Sequence, residues 1–297
     1  MTDQQSFAIS LMDETFNPEN TWNYGLSIIV SETSFSTCIL DYTRNKFIGL
    51  YRCVRNELPF IDGQEKATFT FRDFLQGVFN ELSWINNPFK TVKIAYDGKK
   101  STLIPTALFD PNEKENYFNF NFPKAHHEMV VADHLLAPDA WQIYVMPNHL
   151  KETLRSTFPR CKVVHHSTLL IEAVWANYKN RINTPYLFMN VRRHLFDILI
   201  FDGRQLIFFN TFNYQNAEDI TYYLVFVLEQ LNYNPEKIPL VLLGDIEAVD
   251  GLTELLLRYV RQIGNGRKND AYRYSYIFNQ VPPHSWFTLF NFFSCGL

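Results

Sequence analysis

YLFMNVRRHLFDILIFDGRQLIFFNTF, residues 186–212, is the stretch whose reading decides the fold. Tyr186 to Val191, Leu195 to Phe201 and Gln205 to Phe212 are rich in aromatic and β-branched residues with short polar gaps, the pattern of three consecutive strands. Asp202-Gly203 marks a tight hairpin, in which both turn residues are expected at positive φ. Downstream the pattern gives a helix over Ala217 to Leu231, a strand from Ile238 to Leu243 ending in Gly244, and a helix over Gly251 to Ile263. A strand from Tyr272 to Phe278 and a terminal helix from His284 to Phe293 follow. Thr184-Pro185 sets the start of this block.

The same order occurs earlier in the chain. Leu26 to Val30, Phe35 to Asp41 and Lys46 to Val54 read as strands, with Thr43-Arg44-Asn45 as a turn. A helix is expected over Gln64 to Trp84, since Phe71, Phe74, Leu75, Val78, Phe79 and Leu82 recur at spacings of three and four. Asn86-Asn87-Pro88 ends it, and Thr91 to Tyr96 is a strand closed by Asp97-Gly98. The two blocks align without a gap at an offset of 159, which sets Ser31 on Asn190, Ile39 on Ile198, Leu40 on Leu199, Phe47 on Leu206 and Ile48 on Ile207.

Between the blocks, Thr102 to Pro105, Met129 to Leu136, Trp141 to Met146 and Cys161 to His165 read as extended. Helices are expected within Thr106 to Phe120, broken at Asp110-Pro111, over Asn148 to Phe158 with Asn148 as N-cap, and from Ser167 through Tyr178. Residues 1–23 are polar and turn-rich and read as an N-terminal arm. The expected division is this arm, a first half over 24–183 and a second half over 184–297.

Three antiparallel strands, a helix and then further strand and helix units describe a ribonuclease H-like layer. Two in one chain describe an α/β, duplicated ribonuclease H-like fold of the actin-like ATPase type: two mixed sheets flanked by helices around a cleft, with the helices starting at Ser167 and His284 crossing between halves. The order strand, Pro147, helix, Lys162 to Val164, helix resembles PilM-like pilus assembly proteins. The meander, Leu103-Ile104-Pro105-Thr106-Ala107-Leu108-Phe109-Asp110 and Tyr144-Val145-Met146-Pro147 resemble an uncharacterised bacterial group, domain-of-unknown-function family 3822, over nearly the whole chain. That resemblance implies the actin-like fold and supplies no activity.

Composition narrows the function classes. With 46% hydrophobic and 20% charged residues in 297, the chain can bury a large core, and 27 Phe make it an aromatic one. A net charge of −4 argues against a broad nucleic-acid-binding face. No apolar run approaches the roughly 18 residues of a membrane helix. Met1 to Ser10 has no basic segment followed by an apolar stretch, so no secretory signal is expected. Cys38, Cys53, Cys161 and Cys295 lie far apart, without metal-type spacing, and read as reduced residues of a cytoplasmic protein. The adjacent pairs His126-His127 and His165-His166 point to opposite faces if extended, which does not favour chelation.

Actin-like ATPases hold phosphates in a turn after the first strand of each half, where glycine admits the backbone and an Asp anchors the metal. Here the first turn is Ser31-Glu32-Thr33-Ser34, and the second is Asn190-Val191-Arg192-Arg193-His194. Neither has a glycine, and Ser31 and Asn190 stand where Asp is expected. Only Gly244 remains of the glycine pair near the adenosine. No catalytic and no metal-ligating residue is assigned. Asp197, within the second strand of the second block, is expected to face outward. Ser31, Thr33, Ser34, Asn190, Arg192, Arg193 and Gly244 are the candidate cleft and anion-binding residues, with solvated arginines, or arginines paired to Glu32, as the competing reading. No cofactor is expected beyond weak ATP binding. The expected function is that of a pseudo-ATPase scaffold, a non-catalytic actin-like protein that binds a protein partner. The alternative is a nucleotide-dependent ATPase or small-molecule kinase with atypical phosphate turns, and a lesser one is RNA-related work through a local basic patch.

Overall fold

The computed structural model describes residues 5–55, 71–159 and 161–297. Its strands are β1 (Gln5–Met12), β2 (Tyr24–Val30), β3 (Ser34–Asp41), β4 (Lys46–Arg55), β5 (Thr91–Tyr96), β6 (Ser101–Pro105), β7 (Glu128–Leu135), β8 (Ala140–Pro147), β9 (Val163–His165), β10 (Tyr186–Arg192), β11 (Leu195–Asp202), β12 (Gln205–Asn213), β13 (Leu240–Gly244), β14 (Ile263–Asn265) and β15 (Arg273–Tyr274). The helices are α1 (Phe71–Glu81), α2 (Lys114–Asn121), α3 (Asn148–Thr157), α4 (His166–Tyr178), α5 (Ala217–Gln230), α6 (Leu252–Leu256) and α7 (Phe287–Asn291). The expected start of the first helix, residues 64–70, lies outside the described residues.

The first sheet runs β1-β4-β3-β2-β5-β9 and the second β12-β11-β10-β13-β14. With β1 set aside, both have one order: three antiparallel strands, then two parallel ones. The repeat extends to a defect. Between β3 and β4, Ile39 pairs with Gly49 but Leu40 with Phe47, so Ile48 is extra. Between β11 and β12, Ile200 pairs with Phe208 but Phe201 with Leu206, so Ile207 is extra. A bulge at one place in both sheets is the mark of a duplicated unit, because bulges fix local twist and register. This is the duplicated α/β, actin-like fold expected from the sequence.

The register corrects the gapless alignment. Val30 opposes Phe35 and Tyr96, as Val191 opposes Phe196 and Gly244. The offset is therefore 161 before the hairpin and 159 after it. The cause is the turn: four residues separate Asp41 from Lys46, but only two separate Asp202 from Gln205. Ser31 thus matches Arg192, and Asn190 matches Ile29.

Other expectations also change. The arm read over residues 1–23 contributes β1, which lies antiparallel on β4, and a 3-10 turn over Pro18–Asn23. Asn148 is the first residue of α3 and caps nothing; Pro147 precedes the helix. Gly203 has φ +55°, but Asp202 ends β11 without a positive φ. The helix expected over Gly251 to Ile263 shrinks to α6, and the strand expected over Tyr272 to Phe278 to β15, followed by a 3-10 turn over Tyr276–Gln280.

Five apolar clusters form the core. One joins the halves: Leu169, Ile171, Ala173 and Val174 of α4 lie among Ala95 of the first sheet, Phe188, Phe201 and Leu243 of the second, and Phe287 of α7. The chain then returns to the first sheet, where Trp286, Leu289 and Phe290 pack on Cys38, Leu40 and Phe47. A three-stranded sheet, β6-β8-β7, is inserted between β5 and β9. Among the described residues no helix is long and apolar enough to cross a membrane.

Candidate functional site

Because β2 and β10 run the same way relative to their sheets, their C-terminal ends face each other over a cleft of about 430 Å³. All seven residues singled out in the sequence line it: Ser31, Thr33, Ser34, Asn190, Arg192, Arg193 and Gly244.

The turn after β2 folds onto its own serine. Ser31 Oγ accepts from the backbone N–H groups of Thr33 at 3.2 Å and Ser34 at 3.0 Å, and lies 2.8 Å from Ser34 Oγ. The Ser31 N–H donates to the Ser34 carbonyl at 2.9 Å. The N–H groups that would otherwise meet an anion are engaged inside the turn.

At the end of β10, Arg192 is 7% exposed and paired with two carboxylates. Its Nε and Nη2 donate to Asp197 Oδ2 at 3.0 Å and Oδ1 at 2.6 Å, a forked pair, and its Nη1 donates to Asp97. Asp197 is fully buried, which overturns the expectation that it faces solvent. Asn190 Nδ2 at 2.9 Å and Thr211 Oγ1 at 2.7 Å complete its shell. Burial by itself pushes the Asp197 carboxyl up, but the Arg192 charge and these hydrogen bonds hold it below the usual carboxylate range. The same carboxylates raise Arg192 further, against the desolvation that opposes its charge. Arg192 pairs with Asp97 and Asp197 rather than with Glu32. Arg193 lies on the exposed turn beside it.

Gly244 is required by space. Its φ is +81°, and a Cβ there would stand 2.0 Å from the Val191 carbonyl oxygen and 2.9 Å from Asn190 Oδ1. It lets β13 pass against β10 at the cleft floor, a packing duty that does not depend on a nucleotide. His165 and His166 lie beneath. Burial, together with neighbouring His166 and Arg192, pushes His165 down to about 3, and burial also lowers His166. Both rings are therefore neutral near pH 7.

Asp97, Asp197, Asp245 and Arg52 were missed by motif reading. Asp197 carried a usable signal: it interrupts Leu195-Phe196-Asp197-Ile198-Leu199-Ile200-Phe201, an apolar run too continuous for a strand with one wet face. A carboxylate inside such a strand needs a cation, and Arg192 lies five residues upstream.

The comparisons agree with this architecture. A Bacteroides thetaiotaomicron protein with actin-like ATPase fold and unknown function superposes with a TM-score of 0.71 and 25% identity, covering 85% of this chain and 94% of that one. The PilM structure from a PilM-PilN type IV pilus biogenesis complex superposes with a TM-score of 0.61 and 10% identity, covering 90% of this chain and 97% of that one. No curated protein matches the chain. A family described as "Protein of unknown function (DUF3822)" matches residues 13–263. That match takes in β2 to β13, both copies of the bulge and both walls of the cleft, and the chain belongs to the DUF3822 family.

Proposed function

We propose that this protein is a non-catalytic member of the actin-like fold that acts by binding a protein partner, with a cleft that has lost nucleotide chemistry. The observation that carries this reading is the state of Arg192. It sits where a phosphate turn would be, yet its charge is already met by two carboxylates of the same chain, with Nε and Nη2 donating to Asp197 and Nη1 to Asp97. Phosphoryl transfer depends on metal, backbone and polar groups aimed at the phosphate. Here the Thr33 and Ser34 amides are turned onto Ser31, so the residues present do not fit a magnesium–ATP cradle. The PilM neighbour, which forms a complex with PilN, supports partner binding at the level of fold alone.

The test is a phosphate-release assay with magnesium–ATP, run beside thermal unfolding with and without the nucleotide. No turnover above background is expected. A specific ligand at 100 times its dissociation constant would add about 2.7 kcal/mol, and no such stabilisation is expected. Magnesium-dependent turnover that disappears in Ser31→Ala would overturn the reading in favour of an ATPase or kinase.

A further inference from the structure

The strongest feature outside the phosphate turns is a second ion pair across the cleft, directed opposite to the first. Arg52 Nη1, on β4 of the first sheet, donates to Asp245 of the second at 2.8 Å and 3.0 Å. Arg52 Nε lies 3.3 Å from Ser36 Oγ, and its guanidinium carbon is 4.1 Å from the centre of the Trp286 ring. Arg192 of the second sheet meets Asp97 of the first. The two acceptors occupy one position in the repeat. Asp97 follows β5 and its N–H donates to the Val30 carbonyl at 2.8 Å; Asp245 follows β13 and its N–H donates to the Val191 carbonyl at 2.9 Å. Each half therefore offers the other its equivalent aspartate, and receives an arginine in return.

We propose that these reciprocal pairs form a latch that holds the cleft shut with no ligand bridging it. The two pairs differ in how readily they part. Arg192 is held on its own sheet by Asp197, at 8% side-chain exposure, so the pair with Asp97 is fixed at its base. The Arg52 and Asp245 side chains are 24% and 33% exposed, and among the described residues neither forms a second salt bridge, so this pair is the side that opens. A charge brought by a partner to Asp245 or Arg52 exchanges with the latch rather than adding to it, which couples partner binding to opening. The latch holds whether or not a nucleotide binds, so its failure and the failure of the proposed function are separable.

Thr288 lines the cleft floor and is 8% exposed. The test places a thiol there, Thr288→Cys, in a Cys161→Ser background, and follows its reaction with a maleimide. Slow labelling is expected in that background. It should rise about tenfold (about 1.4 kcal/mol) on adding Arg52→Met or Asp245→Asn, and fall back in the swap Arg52→Asp with Asp245→Arg. In the background protein, raising salt to about 1 M, where screening acts within about 3 Å, should speed labelling in the same direction. Circular dichroism checks folding, and the salt series keeps the test decisive if a variant fails to fold. Labelling that stays slow in both single variants, or under high salt when they do not fold, would show that packing alone shuts the cleft and would overturn the latch.

Discussion

Replacing Arg192 with alanine tests the site where its energetics are largest. The change leaves Asp197, fully buried, without its cation. Removing one partner of a buried pair costs about 3–5 kcal/mol, because the remaining charge is stranded. Asn190 and Thr211 still donate to Asp197, which places the expected loss near the lower end, about 3 kcal/mol. At about 2–4 °C per kcal/mol this lowers the melting temperature by on the order of 10 °C. The pH dependence has a definite sign. In the native protein the Asp197 pKa is depressed, so its stabilisation is complete above the unfolded value of roughly 3.9 and is lost as pH falls through the folded value. Without Arg192, burial prevails and the pKa rises above the unfolded value. The deficit of the variant should therefore widen as pH rises above the unfolded value of roughly 3.9. Denaturant unfolding at several pH values measures this, and Arg192→Met with Asp197→Leu should recover most of the loss. A variant within about 1 kcal/mol of the native protein, or a deficit that shrinks with rising pH, would refute the assignment of Arg192 as the counter-charge of a buried carboxylate.

Gly244→Ala places a Cβ 2.0 Å from the Val191 oxygen at φ +81°, so a loss exceeding about 1–3 kcal/mol is expected by chemical denaturation. Deleting the residues after Pro283 removes Trp286, Phe287 and Phe290, each worth about 1.5–3 kcal/mol of burial, and should give insoluble or molten protein by near-ultraviolet circular dichroism. Lys93→Met removes donors to the Phe292 carbonyl at 3.1 Å and the Cys295 carbonyl at 3.0 Å; amide exchange should quicken in residues 292–297, with about 2 kcal/mol lost. The lowered pKa of His165 predicts stability that is full above 6.5 and falls as pH drops toward about 3; His165→Phe should flatten that part of the melting curve.

The parts of the fold that were legible in the sequence are those where local pattern and burial coincide. The three-strand meanders, α1 where described, and α5 announce themselves by period. Partner-dependent elements did not. Gln5–Met12 becomes a strand because β4 offers it an edge, and β15 is two residues long because only Arg273 and Tyr274 meet Lys46 and Phe47. The offset of 159 concealed a hairpin two residues shorter in the second copy, and this misplaced the counterpart of Ser31. In the site, the turns were found because their positions follow from topology. The occupation of Arg192 was hidden because Asp97 lies 95 residues away and joins it only when the halves close.

The return of the chain to the first sheet carries a consequence for biosynthesis. Phe47, Leu40 and Cys38 are made early, but the residues that cover them, Trp286, Leu289 and Phe290, are made late, as is β15, which completes the edge of β4. While the ribosome works through the second copy, the first presents an unfinished apolar surface to the surrounding medium. Its covering therefore waits for the residues that follow the second copy, even though its strands are translated first. Slowing elongation after the first copy should lengthen its dependence on chaperones rather than help it fold.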